Sequence, residues 1–97
     1  MDDVNSGFNE FLRMPFPKGL GGEEVNGVEL VLVDAEAAGI IQTFIKTKTI
    51  SPAQYETLLA VHHDLNKVIS DLPTQGRLYF QMLNDLVGRI LLMNKKG

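Results

Sequence analysis

A chain of 97 residues with no cysteine is one domain's worth of polypeptide, and it can hold neither a disulfide, a thiol nucleophile nor a thiolate metal site. Its 44% hydrophobic and 22% charged residues are those of a folded globular chain and not of a disordered one. A net charge of −3 argues against a phosphate-binding surface, and no apolar run reaches the ~20 residues of a membrane span. Nucleic acid and bilayer are therefore not expected partners, and a cytoplasmic protein is expected.

Residues 1–24 read as an N-terminal arm and loop. Phe8, Phe11 and Leu12 can form one apolar turn of helix, which Met14-Pro15-Phe16-Pro17 then stops, because proline forces extended backbone on its neighbours. The arm is expected to lay its three phenylalanines over the core. The run Lys18-Gly19-Leu20-Gly21-Gly22 lacks the order of a phosphate-binding loop, and Glu23 and Glu24 would repel a phosphate.

Residues 25–33 read as a strand or hairpin. Val28 to Val33 is rich in aliphatic residues and follows the turn pair Asn26-Gly27, which sets Val25 opposite Val28 and Glu24 opposite Glu29. Asp34 then stands where an N-cap is needed, and residues 34–94 read as a three-helix region. In the first of these helices Ala37, Ile40, Ile41, Phe44 and Ile45 form an apolar face. Ala35, Ala38 and Gly39 beside it are small enough for another backbone to come close.

The strongest start signal is Ser51-Pro52 with Gln54, a capping box with proline at the first helical position, and Ile50 and Tyr55 as the staple around it. Tyr55, Leu58, His62, Leu65, Ile69 and Leu72 recur at spacings of three and four, the seam of a helix against an antiparallel neighbour. Leu72-Pro73-Thr74 leaves only a short link to a last helix over residues 75–94, so these two form a helical hairpin. The last helix is apolar around much of its circumference, with Asp85 and Arg89 on its wet side. That surface is more than one partner helix covers. A homodimer interface is therefore expected at Phe80, Val87, Leu91 and Leu92.

Candidates for chemistry are few. His62 sits within the seam and is either a core or interface histidine or a ligand-binding group in a cleft with Tyr55, Arg77 and Tyr79. His63 and Asp64 point ~100° apart on a helix and cannot share a proton. No histidine has a second metal ligand three or four residues on, so neither a metal site nor a cofactor is expected. Ser6, Ser51 and Ser70 lack the glycine-flanked setting of a hydrolase nucleophile.

Val31-Leu32-Val33-Asp34 with Ala38-Gly39-Ile40 and Phe44, then Asp64-Leu65 with Val68, then Gly76-Arg77 with Tyr79-Phe80, resembles a pattern in small uncharacterised bacterial proteins, over residues 28 to 92. That group has no assigned activity. The resemblance implies a bacterial cytosolic setting and assigns no residue a role.

The expected fold is mainly α with a small β part, a short strand or hairpin followed by three helices, the last two an antiparallel hairpin. The expected function is a small non-enzymatic interaction or regulatory protein acting as a homodimer, with another protein as a possible partner. The alternative is a small-molecule-binding protein or enzyme with its cleft near His62.

Overall fold

Among the described residues, apolar side chains three and four apart build four helices around one core, and a hairpin of two-residue strands separates the first helix from the second. The computed structural model describes residues 3–17 and 24–94, so the glycine loop from Lys18 to Glu23 and the pair Lys95 and Lys96 lie outside the described residues. The architecture is mainly α with a small antiparallel β element, as the sequence predicts.

Helix α1 (Asp3–Leu12) buries Val4, Phe8 and Phe11, which share one face at spacings of four and three. The expected single turn is thus a full helix. It packs on the last helix, and so closely at Gly7 that a β-carbon there would stand 2.8 Å from Leu86 Cδ2. The three phenylalanines do cover the core: Phe8 and Phe11 are buried and Phe16 packs against it.

Strands β1 (Glu24–Val25) and β2 (Val28–Glu29) pair antiparallel with Val25 opposite Val28 and Glu24 opposite Glu29, the register the turn pair predicts. Asn26 and Gly27 have φ of 52° and 82°, the left-handed values a tight hairpin turn needs. The Asn26 side-chain amide also donates to Asp71 Oδ2 (2.8 Å) and to the Lys67 carbonyl (3.2 Å). The turn is thereby tied to the far end of the third helix.

Helix α2 (Leu30–Thr47) begins four residues before the expected N-cap, Asp34. Among the described residues β1 covers Glu24 and Val25, whose ladder partners end at Glu29. From there Leu30, Val33, Ala37, Ile41 and Phe44 bury one helical face, and that periodicity outweighs the strand preference of Val31 to Val33. Helix-forming residues therefore start at Leu30, and Asp34 lies inside the helix. Of the small face only Ala38 packs against the core: Ala35 and Gly39 are exposed, and a β-carbon on Gly39 would meet nothing within 4 Å.

Helix α3 (Pro52–Val68) starts with the predicted capping box, Gln54 N–H donating to Ser51 Oγ (3.1 Å) and Ser51 N–H to Gln54 Oε1 (2.8 Å). Its buried line is Leu58, Val61, Leu65 and Val68, so the face is rotated from the expected seam. Tyr55, His62 and Ile69 are half-buried at its margin. A 3-10 turn, Ile69–Asp71, leads through buried Leu72 to helix α4 (Thr74–Met93).

Helix α4 is the centre of the molecule. It touches α1, α2 and α3 and buries Gly76, Tyr79, Phe80, Leu83, Leu86, Val87, Ile90 and Leu91. Its excess of apolar surface is thus taken up by two helices besides its hairpin partner. Of the four residues expected at a dimer interface, Phe80, Val87 and Leu91 are buried inside this core, because α4 packs against three helices and not one; Leu92 is 73% exposed.

Candidate functional site

The α3–α4 hairpin buries one side against α1 and α2 and turns the other outward as a groove of about 1020 Å³, open along its length. α3 and the turn after it contribute His62, Asn66, Ile69 and Ser70; α4 contributes the stripe Leu78, Met82, Asp85, Arg89 and Leu92, with Gln81, Asn84 and Gly88 beside it. Residues of one α-helix at spacings of three and four share a face, so the stripe is contiguous.

The floor is polar and ordered. Asn84 donates its amide N–H to Asn66 Oδ1 (2.9 Å), which turns its Oδ1 toward His62 Nδ1 at 2.7 Å. An amide oxygen only accepts, so the ring must carry its proton on Nδ1 to make that bond. In the neutral ring Nε2 is then the acceptor, and among the described residues it has no hydrogen-bond partner. The ring lies over Gly88, where a β-carbon would be 3.7 Å from His62 Cε1. A side chain larger than hydrogen at Gly88 would narrow the groove at its middle.

Charges in and beside the groove balance. Arg89 pairs with Asp85 at 3.1 Å one turn away, and Lys67 stands 3.9 Å from Asp64 on α3, both pairs exposed. Exposed pairs of this kind contribute little to stability, roughly 0.2–1 kcal/mol.

A second polar contact lies on the opposite side of α4. Tyr79 Oη donates to Asp34 Oδ1 at 2.9 Å, and Tyr79, only 5% exposed, is enclosed by Phe11 (ring centroids 4.6 Å apart) and Phe16 (5.5 Å). Burial raises the Asp34 pKa above the usual aspartate value, and the Tyr79 hydrogen bond offsets part of that rise. Burial, then the hydrogen bond to Asp34, then its charge push Tyr79 well above an ordinary tyrosine. The phenol stays a donor at neutral pH and fastens α2 to α4.

The cleft expected from His62, Tyr55, Arg77 and Tyr79 is therefore not assembled. His62 lines the groove, Tyr79 belongs to the aromatic cluster behind α4, Tyr55 packs against the core near the start of α3, and Arg77 is exposed in the first turn of α4. Sequence reasoning missed Asn66 and Asn84. The signals were there: Asn66 follows His62 by one turn, and Asn84 is a polar residue set between apolar Leu83 and Leu86. Among the described residues no group of three or more His, Cys, Asp or Glu could hold a metal ion, and no helix is long and apolar enough to cross a membrane.

No protein-family model, curated protein or solved structure matches the chain. Its function has to be argued from the groove.

Proposed function

We propose that this chain is a small non-enzymatic interaction or regulatory protein whose working unit is a homodimer, with the α3–α4 groove as its contact surface. One observation carries the reading: Leu78 (57% exposed) and Leu92 (73% exposed) flank the groove on the same stripe of α4 as Met82. Single exposed leucines are ordinary on a protein surface, but apolar residues aligned along a groove between two helices are the form in which a helix is received. The histidine there supports binding over catalysis, since it is held by the Asn84 amide and not by a carboxylate that would strengthen it as a base. The bacterial cytosolic setting implied by the resemblance belongs to the same proposal.

The test is sedimentation velocity over about a hundredfold dilution, where a dimer must dissociate by mass action. A dimer–monomer shift is expected, and a monomer at every concentration overturns the reading.

A second reading, a small-molecule-binding protein or enzyme, is favoured by the ordered His62–Asn84–Asn66 floor with its unpartnered Nε2. Its ligand would sit over that floor and shift the NMR resonances of these three side chains without changing the association state.

A further inference from the structure

We infer that the groove is filled by α4 of a second copy, laid antiparallel about a two-fold axis beside Gly88. The inference rests on the homodimer reading and names the surface by which it is built. Its basis is the order of side chains on the groove stripe: Met82, Asp85, Arg89 and Leu92, at spacings of three, four and three, all line the groove. From Met82 to Leu92 the stripe thus runs apolar, acidic, basic, apolar, with Leu78 one turn before that segment. Two identical helices packed antiparallel oppose their residues in reverse order, and an axis midway between Asp85 and Arg89 makes the segment from Met82 to Leu92 its own complement. Asp85 then faces Arg89 of the second copy and Met82 faces its Leu92, each contact occurring twice, as an isologous interface requires. A parallel copy would oppose Asp85 to Asp85 and Arg89 to Arg89.

Charge complementarity therefore selects both the occupant and its direction. Within one chain Asp85 and Arg89 already pair at 3.1 Å, so both side chains are directed along the stripe and can exchange partners across the axis. Gly88, beside the axis, has no β-carbon, and the nearest atom to one built there is His62 Cε1 at 3.7 Å, so the two backbones can come close where they cross. The exposed apolar pair on α2, Val31 and Leu32, has Glu29, Asp34 and Glu36 as its charged neighbours within a turn, and two copies paired there would oppose acid to acid.

The test is charge reversal. Asp85→Arg and Arg89→Asp replace exposed side chains, so each variant should keep the wild-type far-UV circular dichroism. Alone, each puts like charges across the axis at both contacts, and its dimer dissociation constant should rise at least about tenfold in sedimentation equilibrium. Mixed one to one, the two variants restore both opposite-charge contacts and should recover a heterodimer near wild-type affinity. If the wild type dimerises but the variants match it, or if mixing fails to restore association, α4 is not the occupant and the homodimer stands on another face. If the wild type is monomeric throughout, the homodimer reading falls and this inference with it.

Discussion

The hydroxyl of Tyr79 donates to Oδ1 of Asp34 across 2.9 Å, joining the central helix to α2 beneath Phe11 and Phe16. Removing the acceptor and removing its charge are different perturbations. Asp34→Ala leaves a phenol that is almost wholly enclosed without its partner and should cost about 1–3 kcal/mol in urea unfolding. Asp34→Asn keeps an acceptor oxygen and should be no less stable than wild type at pH 7.

The same pair sets a pH dependence with a definite sign. The Asp34 carboxyl is raised in the folded chain, so between the unfolded value of about 3.9 and the folded one the native state binds more protons than the unfolded state. Stability then falls as pH rises through that window and is regained on acidification. The difference in unfolding free energy between wild type and Asp34→Asn should move in favour of wild type as pH is lowered from 7 toward 4; a constant difference would show that burial does not perturb this carboxyl.

The His62–Asn84 contact predicts a tautomer. In the neutral ring the proton should reside on Nδ1, which the two ring ¹⁵N shifts distinguish from the Nε2 form, the commoner one in solution. Asn84→Ala should remove that preference and cost about 1 kcal/mol, the net worth of a partly exposed hydrogen-bond pair. An Nε2-protonated ring in the wild type would mean that the Asn84 amide is oriented the other way round.

Three helical glycines separate local propensity from packing. A β-carbon at Gly39 meets nothing within 4 Å, so Gly39→Ala should stabilise the chain by about 0.5–1 kcal/mol. At Gly7 the same methyl stands 2.8 Å from Leu86 Cδ2, so Gly7→Ala should gain less or lose stability. Gly88→Ala makes only an ordinary contact with His62 within the chain and should stabilise the monomer while weakening its dimer. Thermal unfolding of the three variants gives the order directly.

Helix α1 is a structural cover and not a detachable arm. Phe11 is buried with its ring tilted against Tyr79, so Phe11→Ala should cost about 3 kcal/mol or more in chemical denaturation. A change of only a few tenths would mean that α1 lies loosely on α4.

Much of this molecule follows from short-range pattern. The Ser51–Gln54 box, the Asn26-Gly27 turn with its register, and the antiparallel link at Leu72-Pro73-Thr74 are all decided by residues within five of one another, where stereochemistry and a few hydrogen bonds act alone. So is the apolar line of each helix to within a third of a turn: on α3 it runs through Val61 and Val68 and not through His62 and Ile69.

What the sequence by itself determined is which segments coil, where one of them is capped, and how the small hairpin turns, because those choices depend on neighbours along the chain. Only the tertiary structure decided that α2 starts at Leu30, that α1 closes over Tyr79 and Leu86, and that His62 meets Asn84 and not Tyr79. Each of these depends on which helix covers which face, a competition among apolar surfaces distant in sequence. Its outcome is set by the total area removed from water and not by any local motif.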